Sequence, residues 1–176
     1  MTNSRFADQL NAQIGEELLA HAQYIAVAAH YDALTMPRMA GFFFRQAREE
    51  RDHAMMMLRY LLDTDAEIEI PAVAAPQSHF DGIVAPVELA LAQERKVTEQ
   101  IHALTRIARD ENDFAAEQFM QWFIKEQVEE VATMSDLLAV ATRNRDDIED
   151  IEEYVAREHG GEGDDPTAPR QAGAGG

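Results

Sequence analysis

The 176-residue sequence contains no cysteine. This absence excludes disulfide bridges, zinc sites built from thiolates and the cysteine-held iron sites of rubredoxin-like modules. No apolar run approaches the ~18 residues that a membrane-spanning helix needs. The N-terminal stretch MTNSRFADQL also lacks the basic start and apolar run of a signal peptide. We therefore expect a soluble, cytoplasmic protein with one domain's worth of chain.

Basic residues are scarce. The chain has 15 Lys and Arg but 33 Asp and Glu, which gives a formal net charge of −18. This balance argues against nucleic acid and anionic membranes as partners. Two interpretations of the acidity stay open at this point. A strongly acidic surface can serve solubility alone, or it can concentrate cations.

Helical periodicity dominates the chain and predicts four long helices and a short fifth. We expect them over about 4–31, 37–63, 84–109, 114–142 and from about 146 to the glycines at 160–161. The short turns TMPR and DENDF separate the members of each long pair, and Asn112 and Asp113 are expected to act as caps. A helix-poor connection over 64–83 joins the two pairs. This order predicts an all-α four-helix bundle with one long crossover plus a short C-terminal fifth helix.

The C-terminal part of the chain changes character after the fifth helix. That helix has only a narrow apolar stripe of Ile148, Ile151 and Val155, so we expect it to dock against the bundle or a neighbouring copy. The segment GGEGDDPTAPRQAGAGG has no apolar periodicity. We therefore expect a folded domain over 1–159 and a disordered Gly/Ala/Pro-rich tail over 160–176.

An acidic residue interrupts the apolar stripe near the middle of each long helix. These four residues are Glu17, Glu50, Glu94 and Glu130. Each lies about 15 to 18 residues from the turn of its hairpin, or roughly 22–27 Å along a helix. Because the crossover starts the second hairpin from the opposite end, the levels of the two pairs can coincide. Four carboxylates are then expected to converge in the core.

Converging carboxylates need cations, because each unpaired buried charge costs several kcal/mol and the four would repel one another. No basic residue occupies these stripes at that level, so buried salt bridges do not supply the compensation. His53 follows Glu50 by three residues and completes a Glu-x-x-His ligand pair on one helix face. A glutamate-rich set with histidine and no cysteine suits iron or manganese, and bridging carboxylates imply two metals. The expected reaction is oxidation of Fe²⁺ by O₂ or peroxide.

These residues lie in motifs that resemble those of bacterial non-haem ferritins, the actinobacterial ones in particular, over residues 5–158. The matching stretches are NAQIGEELLAHAQY, AREERDHAMMM, LAQERKVTEQI and FMQWFIKEQVEEV. The resemblance implies a ferritin-like di-iron domain with ferroxidase activity. It also implies an iron-storage role in a homo-oligomeric shell of 24 subunits, with Fe²⁺ and O₂ or H₂O₂ as the small-molecule partners.

The resemblance further implies the ligands of the di-iron centre. Glu17, Glu50 and His53 would hold the first iron. Glu94, Glu130 and a bridging Glu50 would hold the second. Gln127 would then orient water or O₂ nearby, and the centre would be catalytic as well as metal-binding.

Five further residues take expected roles from the same resemblance. Glu49, Glu126 and Glu129, together with Glu130 of the centre, match a third iron site, although their spacing alone favours a solvated acidic helix face. Tyr24 would lie beside the iron pair and supply an electron. Trp122 can do the same, but packing explains it equally well.

The sequence argues against haem. Related bacterioferritins carry a second Glu-x-x-His in the fourth helix and a haem-binding methionine just after the helix-two glutamate. This chain has Gln127-x-x-Glu130 in the fourth helix, and Arg51 follows Glu50. The run Met55–Met57 is expected to pack rather than to bind metal.

Rival interpretations come from other functional classes. A di-iron oxidase acting on an organic substrate usually needs two Glu-x-x-His motifs and a substrate pocket. A helical interaction module would bind no metal. A peroxide-protective mini-ferritin would place its ligands between subunits and would lack a fifth helix.

Overall fold

The computed structural model describes residues 4–161 and 165–173, and none of these residues forms a strand. The helices are α1 (Arg5–Ala33), α2 (Pro37–Asp63), α3 (Ala85–Asp110), α4 (Phe114–Arg143) and α5 (Ile148–Glu158). Helices α1 and α2 pair as one antiparallel hairpin and α3 and α4 as the other. The predicted four-helix bundle with one crossover and a short fifth helix is confirmed. Among the described residues, no helix is long and apolar enough to cross a membrane.

Three of the long helices end on a left-handed residue that is not glycine. Thr35, Asp65 and Asn112 follow α1, α2 and α3 with φ of 61°, 52° and 57°. After each helix, the amide of this residue and the amide of the next one bond back to two carbonyls of the last turn. This pair of bonds satisfies carbonyls that the helix leaves open, and it turns the chain sharply.

The turn between α3 and α4 shows how one short stretch ends one helix and starts another. The amide of Asn112 donates to the Arg109 carbonyl at 3.0 Å, and the amide of Asp113 donates to the Ala108 carbonyl at 2.9 Å. The Asp113 carboxylate then accepts the amide of Ala116 at 2.9 Å and caps α4. Of the two residues expected to cap, Asp113 therefore serves α4, whereas Asn112 ends α3.

The crossover lies along α1 and is held there by two side-chain amides. Asn11 donates to the Glu67 carbonyl and accepts the amide of Glu69, both at 2.9 Å. Gln23, further along α1, donates to the Gln77 carbonyl at 2.8 Å and accepts the amide of Gln77 at 2.9 Å. Because each amide pairs with a donor and an acceptor of the extended backbone, the two residues fix the register of the crossover on the helix.

The crossover also approaches α1 at Gly15, which leads to a test. A Cβ atom at Gly15 would lie 2.5 Å from Cγ of Pro71, a ring that cannot swing away. We expect Gly15→Ala to lower the free energy of unfolding by roughly 1–3 kcal/mol, because the crossover must shift. Gly41 of α2 is the matched control, since its added Cβ would meet only Arg45 Nη1 at 3.7 Å. Gly41→Ala should stabilise by about 0.5–1 kcal/mol through helix propensity.

Urea unfolding followed by circular dichroism measures both glycine variants. Equal midpoints for Gly15→Ala and Gly41→Ala would contradict the close approach of the crossover to α1.

Helix α5 docks on the bundle through two of the three residues of its apolar stripe. Ile151 and Val155 are buried, whereas Ile148 remains 42% exposed. The carboxylate of Glu152 accepts two backbone amides in the first turn of α2, at 2.8 and 2.9 Å. A negative charge at a helix N-terminus is favourable, so this contact helps to hold α5 across the end of the bundle.

The apolar core is divided into two clusters, and every long helix contributes to both. One cluster includes Tyr24, Phe43 and Leu137, and the other includes Leu10 and Phe123. Each helix passes from one cluster to the other where its acidic residue interrupts the stripe. A buried polar layer lies between the clusters and consists of Gln13, Glu17, Gln46, Glu50, His53, Glu94, Gln127 and Glu130.

Candidate metal centre

The polar layer brings one carboxylate from each long helix into the core. Glu17, Glu50, Glu94 and Glu130 are exposed by only 1–6%. His53, one turn after Glu50, is 4% exposed. The helices place these residues at one level because both hairpins have arms of similar length and run from opposite ends of the bundle.

The tightest group in the layer consists of Glu17, Glu50 and His53. His53 Nδ1 lies 3.5 Å from Glu50 Oε2 and 3.8 Å from Glu17 Oε2. One ligand atom from each of the three residues falls within 4.8 Å of the others. Atoms at such separations can share a single metal ion with small side-chain adjustments, and an N,O,O donor set is one that iron accepts.

Glu94 belongs to a second group that α1 and α4 complete. The Tyr24 hydroxyl donates to Glu94 Oε1. Gln127 Nε2 donates to Glu94 Oε2 at 3.1 Å and also lies 3.3 Å from the Thr98 hydroxyl. Burial and the charge of Glu94 raise the pKa of Tyr24 well above its ordinary value, so this tyrosine carries its proton.

Glu130 completes the four carboxylates but has a different environment. Its Oε2 atom is buried without a hydrogen-bond partner. Burial, followed by the charges of Glu94 and Glu49, raises the pKa of Glu130 well above its ordinary value. An orphaned oxygen in a carboxylate-rich core marks a position where a cation would replace a missing partner.

The charges in the layer need either bound protons or a cation for balance. Burial lowers the pKa of His53, but the neighbouring carboxylates of Glu17 and Glu50 outweigh it and raise that pKa well above its ordinary value. Burial and the charge of Glu94 raise the pKa of Glu50. Among the described residues, the buried polar side chains include no lysine or arginine, so one imidazolium faces four carboxyl groups. The donor set thus fits one or two divalent cations better than it fits protein counter-charges.

A cavity of about 720 Å³ opens beside this layer. His53 and Glu130 of the layer line it, and Glu49, Glu126 and Glu129 are among its other lining residues. The three outer acids therefore do lie together, on the same side of the centre. Their surroundings differ, since burial raises the pKa of Glu126, whereas Glu129 is exposed and 3.7 Å from Lys125.

The C-terminal segment 165–173 lies against the mouth of this cavity. Trp122 Nε1 donates to Asp165 Oδ2 at 3.0 Å, and the amide of Ala172 donates to the Met55 carbonyl at 2.9 Å. Arg170 pairs with Asp63 at 3.0 Å. The expected disordered tail covered 160–176, of which 162–164 and 174–176 lie outside the described residues. The described part 165–173 makes these contacts with α2 and α4, and the disorder of the tail stays a prediction.

Trp122 connects this segment to the centre. Its ring lies edge-on to His53, with the ring centroids 5.5 Å apart. The indole therefore contacts a candidate ligand on one side and the C-terminal segment on the other. Both contacts are consistent with packing.

The position after Glu50 is occupied by a surface charge. Arg51 is 55% exposed in its side chain and pairs with Asp52 at 3.1 Å. In the following methionine run, Met56 and Met57 are buried in an apolar cluster, with Met55 packed against it. This placement agrees with the expected packing role for the run.

Two buried amides in the layer had no expected role. Gln13 Nε2 donates to Glu17 Oε1 at 2.9 Å, and Gln46 Nε2 donates to Glu49. Gln13 precedes Glu17 by four residues, and Gln46 precedes Glu50 by four. This spacing places each glutamine on the same helix face as an acid of the centre. That spacing within an otherwise apolar stripe is the signal that would have found them.

Comparison with known proteins agrees with this fold and donor set. A model of the ferritin-like domain matches residues 7–144. The chain is 49% identical to Ferritin BfrB of Mycolicibacterium smegmatis over 98% of both chains. It is 37% identical to a bacterial non-heme ferritin of Staphylococcus aureus over 84% of this chain and 89% of that one.

A solved structure has the same fold. The open pore ferritin of Archaeoglobus fulgidus superposes with a TM-score of 0.84 at 28% identity, over 89% of this chain and 97% of that chain. The match to the domain covers most of the bundle, and the sequence similarity extends past it. The chain belongs to the ferritin family.

Proposed function

We propose that this protein is an iron-storage ferritin. It oxidises Fe²⁺ with O₂ or H₂O₂ at the buried centre and stores the ferric product inside a shell of 24 copies. The observation that carries the proposal is the layer of four buried carboxylates and one histidine without a buried lysine or arginine among the described residues. Such a layer is costly in the absence of cations and becomes favourable when it binds them.

The substrate is a pair of Fe²⁺ ions, and different residues of the layer bind each ion. Glu17 and His53 bind the first, Glu94 and Glu130 bind the second, and Glu50 bridges them. Each Fe²⁺ gives up one electron to the oxidant, and the anionic ligands favour the ferric product. Gln127, hydrogen-bonded to Glu94, orients water or O₂ at the second position.

The remaining residues serve supply and transfer. Tyr24 is hydrogen-bonded to Glu94 and supplies a further electron when fewer than two Fe²⁺ are available. The cavity acids Glu49, Glu126 and Glu129 form a third iron site with Glu130. They carry iron between the centre and the open side of the cavity.

An oxidase acting on an organic substrate is the second candidate, and the geometry favours it less. The cavity beside the centre is lined by several carboxylates, an environment that attracts cations rather than an apolar substrate. Helix α4 contributes Gln127-x-x-Glu130 where such an oxidase would carry a second Glu-x-x-His. Rapid oxidation of Fe²⁺ in the absence of any organic compound would support the ferritin over an oxidase that acts on an organic substrate.

The storage role predicts a large, iron-filled particle. Sedimentation of the purified protein should give a particle of about 470 kDa, as expected for 24 chains of 19.7 kDa. After stepwise aerobic addition of Fe²⁺, the iron absorbance should sediment with the protein. A monomer or dimer alone would refute storage, and failure to retain iron would favour a metal-free helical module.

A further inference from the structure

Gln13 is buried in α1 one turn before Glu17, and its side chain is 1% exposed. Its amide nitrogen donates to Glu17 Oε1 at 2.9 Å and to Gln100 Oε1 at 3.3 Å. Gln100 belongs to α3 and is only partly buried. A chain of hydrogen bonds therefore runs from the metal centre through Gln13 to the side of the bundle.

The two acceptors determine how the Gln13 amide is oriented. Both Glu17 and Gln100 present an oxygen, so the NH₂ group must face them. The reversed orientation would place the Gln13 carbonyl against a carboxylate, which is repulsive. The Oε1 atom of Gln13 is consequently left buried without a partner, a cost that the two donated bonds offset.

The hydrogen bond also distinguishes the two oxygens of Glu17. Oε1 is engaged by Gln13, whereas Oε2 has no hydrogen-bond partner and lies 3.8 Å from His53 Nδ1. A free carboxylate can rotate and present either oxygen, or both, to a cation. With Oε1 held, Glu17 presents Oε2 alone on the side of His53.

We propose that Gln13 is a positioning residue for the first Fe²⁺: it fixes the Glu17 carboxylate as a one-oxygen ligand through Oε2. The inference rests on the proposed function, because it concerns how Fe²⁺ is held at that centre. The amide of Gln13 donates to Glu17 and Gln100 rather than to Glu94 or Glu130, so we expect its effect at one of the two metal positions.

Anaerobic titration with Co²⁺, followed by calorimetry and visible absorption, tests the proposal without turnover. The unaltered protein should bind two Co²⁺ per chain at the buried centre, apart from any ion at the cavity acids. Gln13→Leu removes the donor at similar volume and should weaken one Co²⁺ by about tenfold, as supporting groups of metal ligands typically do. The absorption bands of that ion should change, and the affinity of the other ion should stay within about twofold.

Three variants control the measurement. Gln13→Met also lacks the donor and keeps the test available if Gln13→Leu does not assemble. Gln100→Leu removes the α3 contact while leaving the bond to Glu17, and it should have a smaller effect. Gln9→Leu, on the exposed side of α1, should change nothing.

The outcomes separate the inference from the function on which it rests. Unchanged affinities and spectra in Gln13→Leu and Gln13→Met would overturn the positioning role. An equal loss at both Co²⁺ positions, with a lower unfolding temperature, would show a structural role and overturn it as well. Absence of Co²⁺ binding to the unaltered protein would overturn the proposed function itself.

Discussion

Replacement of Glu50 by alanine should slow the rapid phase of Fe²⁺ oxidation by about 100-fold or more. Loss of a residue that merely supports a metal ligand costs 10–100-fold, and a bridging ligand contributes to both metal positions. Glu50 Oε2 lies 3.5 Å from His53 Nδ1, and Glu50 is 2% exposed. His53→Ala should have a similar but smaller effect, because it removes a ligand of one position.

The experiment is stopped-flow mixing of metal-free protein with Fe²⁺ and O₂, followed by ferric absorbance. Glu16→Ala is the matched control, because Glu16 neighbours Glu17 but forms a surface ion pair with Lys96 at 2.6 Å. This variant should oxidise Fe²⁺ at the unaltered rate, and all variants should sediment alike. Unchanged rapid oxidation in both Glu50→Ala and His53→Ala would refute the assignment of the centre.

The bundle was predictable because apolar periodicity and turn composition act locally. A proline at the start of α2 and a carboxylate cap at the start of α4 are visible in the residues themselves. The hydrogen bonds that hold the crossover on α1 were not predictable, because Asn11 and Gln23 bond to backbone more than 50 residues away. The local sequence around a polar residue on α1 does not indicate such a distant partner.

The acids of the centre were visible for an energetic reason. A carboxylate in an apolar stripe is expensive enough to demand an explanation, and four of them at one level leave few alternatives. Gln13 and Gln46 are equally buried but carry no charge. The argument from the cost of a buried charge therefore does not identify them. Their partners become apparent only when the side-chain geometry is known.

The contacts of the C-terminal segment could not be predicted for a different reason. Its polar contacts include a backbone bond to Met55, a carboxylate on Trp122 and an ion pair with Asp63, and none of these requires a periodic apolar pattern. Composition favours disorder for such a segment.

The second large effect expected is a steep rise of metal affinity with pH. Burial raises the pKa of Glu50 and Glu130 above the ordinary 4.5, and the neighbouring carboxylates of Glu17 and Glu50 raise that of His53 above 6.5. These groups therefore hold protons in the metal-free protein at pH values where they would otherwise have lost them. A metal binds only the deprotonated ligands, so it must displace those protons.

The size of the effect follows from the number of protons displaced. Zn²⁺, which undergoes no redox reaction, should bind about tenfold more tightly per pH unit for each proton released. Calorimetry between about pH 5.5 and 8, in two buffers of different ionisation enthalpy, measures both the affinity and the protons. Glu50→Gln is the matched variant, because it keeps the shape of the side chain and removes one titrating carboxyl. It should release fewer protons.

The metal-free protein should show the opposite dependence in its stability. Because the folded-state pKa values of Glu50 and Glu130 are raised, the folded chain binds more protons than the unfolded chain above pH 4.5. The free energy of unfolding therefore falls as pH rises. The raised pKa of His53 acts in the same direction, since its stabilisation is complete below 6.5 and is lost as pH rises through the folded-state value.

Stability and affinity together predict how thermal unfolding responds to metal. The midpoint of the metal-free protein should fall with rising pH, whereas the increase produced by a fixed excess of Zn²⁺ should grow, because bound metal stabilises in proportion to the logarithm of its affinity. Scanning calorimetry with and without Zn²⁺ measures this difference. A difference that stays constant with pH would mean that the centre is already ionised before metal binds. The charges of the buried layer would then need a counter-ion other than protons.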